Sequence, residues 1–274
     1  MPFKSPKAIV EAASTAGCAK TSLTIPKQLL LGFLAGAFIA IGGMLAIVVG
    51  SGSPELAKAN PGLGKFLFAA VFPVGLMLVV IAGSELFTGN TGVIMPACLS
   101  GAAKWRNLLR NWGVVYLGNF IGALFVALFI AFWSGLINAS GPAPADPATA
   151  PLAYKLGLAI KSIAEAKAKL PWGQALLRGI GCNWLVCLAV WMAIAADDIG
   201  GKILAIWFPI MAFVALGLEH SVANMFFIPL GMLNGANVTI GQFLWNNLVP
   251  VTIGNIIGGA VLVGGVYWWV YGRD

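Results

Sequence analysis

Asn111-Trp-Gly-Val-Val-Tyr-Leu-Gly-Asn-Phe-Ile-Gly122 and Asn247-Leu-Val-Pro-Val-Thr-Ile-Gly-Asn-Ile-Ile-Gly258 are two copies of one pattern, 136 positions apart. Asn111, Gly118, Asn119, Ile121 and Gly122 of the first copy recur as Asn247, Gly254, Asn255, Ile257 and Gly258 of the second. Upstream, Phe72-Pro73 recurs as Phe208-Pro209 at the same offset, and Glu85 with Asn90 recurs as Glu219 with Asn224 at an offset of 134. A glycine-rich chain matches itself at a few positions by accident. Three groups in one order at nearly one offset exceed accident. Both copies lie in sequence apolar enough for a bilayer, and duplicated membrane halves are how transport proteins build a pathway between repeats.

Composition agrees with this reading. The 274 residues are 59% hydrophobic and only 9% charged, with a mean hydropathy of +0.91. Soluble domains average about 25% charged residues, so most of this surface must face lipid or other protein. The net charge of +7 does not indicate a nucleic-acid partner. Its basic residues stand singly around apolar segments, where membrane flanks explain them. Residues 1–27 are polar and weakly amphipathic, without the apolar core of a signal peptide, and are expected to form a cytoplasmic N-terminal segment. The spacing of Cys18, Cys98, Cys182 and Cys187 fits no zinc or haem pattern, so neither a metal nor a cofactor is expected.

A helical span takes roughly 20 apolar residues. Segments near 28–50, 65–100, 108–137, 171–196, 203–230 and 242–271 qualify. The expected fold is an all-α membrane protein of six transmembrane helices in a single domain, 28–271. Three crossings per half make the repeats, 28–137 and 171–271, inverted in the membrane. With the N-terminus inside, Lys4, Lys7, Lys20, Lys27, Lys104, Arg106, Arg110, Lys202 and Arg273 fall in the cytoplasm. Lys58, Lys65, Lys155, Lys161, Lys167 and Lys169 fall outside. That bias favours cytoplasmic termini.

The second and fifth segments exceed one span, and both contain irregular sequence. Gly83 to Gly92 holds three interior or flanking glycines beside Glu85 and Thr88, and its mate runs from Gly217 through Glu219, His220 and Asn224 to Pro229. Interior glycine costs a helix about 1 kcal/mol, so each segment is expected to break. Non-helical backbone at membrane depth survives only in protein or against a cavity. His220, the single histidine, sits in one of these breaks. It either locks packing as a neutral hydrogen-bonding ring or meets a proton or substrate, since imidazole titrates near neutrality. Glu85 and Glu219 read as structural acceptors for backbone N–H groups at the breaks. Asn119, Asn183 and Asn255 read as interhelical hydrogen-bonding amides, with at least one of them expected at the pore. Phe72, Leu76, Leu86, Phe87 and Phe213 flank the breaks. From spacing they are core residues, though apolar constrictions also gate pores.

These residues carry a resemblance over nearly the whole chain. Glu-His-Ser-Val-Ala-Asn-Met-Phe-Phe-Ile-Pro (219–229), Asn-Leu-Val-Pro-Val-Thr-Ile-Gly-Asn-Ile-Ile-Gly-Gly (247–259), Cys-Asn-Trp-Leu-Val-Cys-Leu-Ala-Val-Trp-Met (182–192) and Glu-Leu-Phe-Thr (85–88) together resemble the formate/nitrite transporter family. The resemblance implies a homopentamer of aquaporin-like protomers in a cell membrane, each with its own pore for formate, nitrite, hydrosulfide or lactate. It implies that His220 is the central pore histidine and Thr88 a loop threonine that contacts substrate. Leu76, Leu86 and Phe87 would form the cytoplasmic constriction, and Phe72 and Phe213 the external one. Asn183 and Asn255 would be pore-facing amides, and Lys167, with Lys169 competing, the lysine that draws anions into the outer vestibule. Arg178, five residues before Asn183, departs from the pattern; it either snorkels outward or adds positive potential to that vestibule.

The expected activity is therefore formate transport, with protonation or hydrogen bonding at His220 and with Glu219 holding the ring. Rival classes fit the sequence less well. A neutral-solute channel of the aquaporin kind would lack a midplane histidine and would carry Asn-Pro-Ala boxes, which this chain does not have. An intramembrane enzyme needs a nucleophile, metal cluster or redox cofactor that one histidine and four dispersed cysteines do not supply.

Overall fold

A computed structural model of the chain describes residues 3–146 and 149–273. The described residues are helical apart from loops and one isolated bridge, Phe3 to Ala196. We number the helices α1 (Pro6–Ser22), α2 (Ile25–Ser51), α3 (Pro54–Ala59), α4 (Pro61–Gly83), α5 (Phe87–Val93), α6 (Met95–Leu99), α7 (Trp105–Trp133), α8 (Leu152–Ala168), α9 (Trp172–Ala195), α10 (Ile199–Ala215), α11 (Ser221–Leu233) and α12 (Gln242–Tyr271). Five of these, α2, α4, α7, α9 and α12, are long and apolar enough to cross a membrane, while α10 and α11 are shorter apolar helices. Joined end to end, α10 and α11 occupy the fifth expected crossing. The second is α4 followed by α5 and α6.

Both breaks fall where glycine permits them, and both are narrower than the sequence suggested. Gly83 (φ +87°) ends α4 and Gly217 (φ +72°) follows α10, each in the left-handed region that side chains avoid. Ser84 and Leu86 are extended, as is His220. Helix resumes at Phe87 and at Ser221, so Asn90 and Asn224 stand on helices.

The pattern repeated at 111–122 and 247–258 marks a close helix crossing, made once in each repeat. A Cβ on Gly122 would overlap the carbonyl of Phe33, so α7 lies backbone-to-backbone on α2. A Cβ on Gly258 would overlap the carbonyl of Ile180, so α12 lies on α9 in the same way. Lipid supplies no hydrophobic force between helices, and small residues that admit such approach hold membrane bundles together.

The repeat also extends further than the sequence reading placed it. Helix α1, set apart above as an N-terminal segment, matches α8; both run 17 residues. Each lies beside the broken crossing of its own half, with Lys20 on α1 reaching Glu85 and Lys167 on α8 reaching Glu219. Each repeat is thus one amphipathic helix plus three crossings. The first carries the extra helix α3 and longer helices beside it, which is why the offset falls from 147 at Lys20 and Lys167 to 134 at the breaks.

Replacing Gly258 with leucine inserts a side chain where α9 backbone already lies, an overpacking expected to cost about 3 kcal/mol or more. The variant should lose its folded peak in size-exclusion chromatography in detergent, whereas Gly113→Leu, which meets open space, should elute as the unsubstituted protein does.

Candidate functional site

Broken helices leave backbone N–H and C=O groups without partners where no water reaches them. One asparagine per repeat supplies the missing partners. Asn119 Oδ1 accepts from the Phe87 N–H at 2.9 Å, and its Nδ2 donates to the carbonyls of Gly32 (2.8 Å) and Glu85 (2.9 Å). Asn255 Oδ1 accepts from the Ser221 N–H at 2.9 Å, and its Nδ2 donates to Gly179 (2.8 Å) and Glu219 (3.0 Å). Each amide therefore ties the start of the second half-helix to the break and to a neighbouring helix. The expectation of a pore-facing Asn255 is corrected on this point: it is fully buried and its hydrogen bonds are all to backbone. Asn183, also expected at the pore, is fully buried too, its two Nδ2 hydrogens shared among the carbonyls of Asn255 (2.6 Å) and Thr88 (3.1 Å) and Thr91 Oγ1 (2.9 Å).

Outside each break lies a second matched cluster. Glu85 accepts from Lys20 Nζ at 2.7 Å on one oxygen and from Asn90 Nδ2 at 2.7 Å on the other, and Asn90 also donates to Asn111 Oδ1 at 2.9 Å. Glu219 accepts from Lys167 Nζ at 2.8 Å, Asn224 Nδ2 at 2.7 Å and Asn247 Nδ2 at 3.1 Å. Asn224 in turn donates to Asn247 Oδ1 at 2.7 Å. The glutamates are structural acceptors as expected, but their donors are side chains of lysine and asparagine rather than loosened backbone. Glu219 does not hold His220. That part of the expectation fails because the carboxylate turns outward to Lys167.

The histidine is fixed by other means. As N-cap of α11 its Nδ1 accepts the N–H of Ala223 at 3.0 Å, and its Nε2 lies 3.0 Å from Thr88 Oγ1. A backbone N–H only donates, so Nδ1 holds no proton and the neutral ring carries its hydrogen on Nε2. Phe213 stacks on the imidazole with centroids 5.8 Å apart, and Phe72 meets Phe213 edge-on at 5.8 Å.

Three cavities run in series through this centre. An inner one of about 420 Å³ is lined by Lys20, Glu85, Asn90, Leu76 and Leu86, among others. A chamber of about 10 Å³, the size of one water, is bounded by Leu76 and Leu86 on one side and by Phe72, Phe213 and His220 on the other. Phe72, Phe213 and His220 also line the third, an outer cavity of about 260 Å³ that reaches Lys167, Glu219 and Asn224. Shared lining residues join each cavity to the next, with leucines guarding one side of the chamber and phenylalanines the other.

Four of the expected site residues line none of these cavities: Asn183 and Asn255, both spent on packing, and Phe87 and Thr88. The ring of Phe87 packs edge-on against Tyr116 (4.8 Å) and Trp112 (6.2 Å) and lines a separate apolar groove. Thr88 is fully buried and meets the path only through His220 Nε2. Between the two competing lysines the geometry is decisive about position: the Lys167 side chain is 18% exposed in the outer cavity, whereas that of Lys169 is 74% exposed and pairs with Glu165. Arg178 is exposed and lines none of the three cavities; only its carbonyl takes part, accepting the Glu219 N–H at 3.3 Å. Sequence reasoning missed Lys20, the counterpart of Lys167. The available signal was the offset of 147 that relates Lys20 to Lys167 and Gly32 to Gly179.

Two pseudo-symmetric half-crossings meeting at a narrow chamber, with a cation at either mouth, define a polytopic transport protein. The model of the formate/nitrite transporter family matches residues 7–269. The chain is 52% identical over 276 residues to a probable formate transporter of Methanothermobacter thermautotrophicus, covering 99% of this chain and 98% of that one. It is 42% identical over 278 residues to the formate channel BtFdhC of Bacillus thuringiensis, covering 100% and 98%. A solved pentameric formate channel with formate bound superposes with a TM-score of 0.77 at 36% identity, covering 91% of this chain and 98% of that one. The chain belongs to the formate/nitrite transporter family.

Replacing Asn255 with alanine would leave the Ser221 N–H and the Glu219 carbonyl at the break without these partners, at about 1–3 kcal/mol for each unsatisfied group, while the Gly179 carbonyl keeps its helical bond. Asn119→Ala should lower the melting temperature in detergent by a similar amount, because its three bonds are equivalent. A large loss in one variant with none in the other would contradict the matched roles.

Proposed function

We propose that each protomer carries formate across the bilayer through the three cavities, as a member of a homopentamer in the cell membrane with both termini cytoplasmic. Nitrite, hydrosulfide and lactate are alternative cargoes for the same path. The observation that carries the reading is the order of the lining: lysine at each mouth, apolar constriction on each side, and one hydrogen-bonding ring between. The formate channels among the relatives narrow the cargo from small anions to formate, and the pentameric relative supports the assembly.

Lys20 and Lys167 place an ammonium donor at each mouth for an arriving anion to meet, while Glu85 and Glu219 hold those lysines in place and keep each cluster near neutrality. A bare anion cannot enter the apolar chamber without losing most of its hydration, an expense of several kcal/mol even after relaxation. Protonated formate loses far less. Burial penalises the charged form of a carboxyl group, so the substrate takes up a proton from vestibule water as it leaves that water. His220 then meets it with the Nε2 hydrogen, taken over from Thr88. A second proton on the ring would place N–H against N–H at Ala223 and remove the α11 cap, so His220 serves as hydrogen-bond donor and the proton travels with the substrate.

Formate uptake into proteoliposomes should rise as external pH falls, since the neutral acid becomes commoner. His220→Phe keeps the stacked ring but removes both nitrogens, and uptake should fall at least tenfold, the loss of about 1.4 kcal/mol or more in the barrier. Uptake by this variant equal to that of the unsubstituted protein at every pH would remove His220 from the pathway.

Lys167→Glu should slow anion entry, most strongly at low ionic strength, where screening is weakest. Entry rates that are identical from low to high salt would take Lys167 out of the outer mouth.

A further inference from the structure

The largest of the cavities described, about 750 Å³, is not on the transport path. It lies between the C-terminal end of α1 and the start of α7, lined by Cys18, Thr21, Ser22, Lys104, Arg106 and Arg110 among others. Its lining holds three cations and no carboxylate. The ion pairs of the described residues join Lys4 to Asp197, Lys20 to Glu85, Lys167 to Glu219 and Lys169 to Glu165. None of them neutralises Lys104, Arg106 or Arg110. Helix α7 begins here with no acidic residue in its first turn, and its positive end is offset by the C-terminal end of α1, so the side-chain cations set the sign of the site. Arg110 donates through Nη2 to the carbonyls of Thr21 (2.6 Å) and Leu23 (3.2 Å), but its Nε is buried with no hydrogen-bond partner.

Lys104 and Arg106 stand exposed at this cavity, Arg110 is half-buried on the α1 carbonyls, and no acid in the lining opposes them, a set that suits a multiply bonding anion. We propose that it binds a phosphate-bearing anion, held by Lys104, Arg106 and the first amides of α7. Both a lipid headgroup and a free phosphate carry that chemistry. Trp105 and Leu109, 51% and 65% exposed on the same helix, offer acyl chains an apolar surface beside the cations. The site also has a connection to the path. Ala16 and Lys20 line the inner cavity while Cys18, Ala19 and Ser22 line this one, so a single helix separates them. Arg110 grips the end of that helix, and the next residue, Asn111, donates to the Lys20 carbonyl at 3.3 Å. An anion bound here fixes α1, and through it the lysine at the inner mouth.

The test uses the purified protein and its Lys104→Gln/Arg106→Gln variant, whose altered side chains lie off the transport path. In mixed micelles, lipid retained after delipidation is measured for phosphatidylglycerol against phosphatidylcholine. Separately, the melting temperature is measured with and without inorganic phosphate. A preference for phosphatidylglycerol that falls about tenfold or more in the variant, as expected for removing two basic side chains from an anionic surface, assigns a lipid headgroup. A rise in melting temperature with phosphate, lost in the variant and without lipid preference, assigns a free phosphate. Equal retention of both lipids by the unsubstituted protein, with no effect of phosphate, overturns the proposal whether or not the variant folds.

Discussion

Backbone hydrogen bonds at the two breaks are the constraint on which the rest of this structure depends. Lipid offers no hydrogen bonds at that depth, so the N–H and C=O groups released by an interrupted helix need partners from the protein. Asn119 and Asn255 each provide three hydrogen bonds, one accepted and two donated. Those bonds reach helices α2 and α9, so the same amides that complete the breaks also join each broken crossing to its neighbour. They can do so only because Gly122 and Gly258 bring the backbones of α7 and α12 against those neighbours. Amide and glycine recur together because each depends on the other.

From that scaffold the path follows by geometry. The breaks free the Glu85 and Glu219 carboxylates to meet lysines arriving from amphipathic helices outside the crossings. They also turn His220 into the cap of α11, with its Nε2 toward Thr88. A residue that reads as an unwelcome polar intrusion in an apolar segment thus does two jobs. It closes a helix end with one nitrogen and meets Thr88 with the other. Breaking the helix creates both the need for the cap and the opening beside it.

Pseudo-symmetry extends to the mouths but stops at the centre. Lysine, glutamate and two asparagines stand in the same relation in either half, whereas Thr88 and His220 differ and face one another at 3.0 Å. Leu76 and Leu86 close one side of the chamber and Phe72 and Phe213 the other. Equivalent mouths suit a solute that leaves as readily as it enters, and the two halves differ only where they meet.

Much of the fold could be read from the chain. A membrane class, six crossings, two interrupted segments and the matched roles of Glu85 with Glu219 follow from hydropathy, glycine placement and offset, because bilayer thickness and helix geometry leave few alternatives. The position of His220 at a break was legible for the same reason, whereas spacing read Phe72, Leu76, Leu86 and Phe213 as core, and only the family resemblance implied a constriction there. What the chain alone did not reveal depends on side-chain direction. Phe87 turns to Tyr116, Asn255 spends its amide on backbone, Glu219 reaches Lys167 instead of the adjacent ring, and Lys20 stands opposite Lys167 across the repeat. Adjacent residues on one segment point different ways once the helix is interrupted, and a side chain's partner is then set by whichever neighbouring helix packs there. Only tertiary structure decides that.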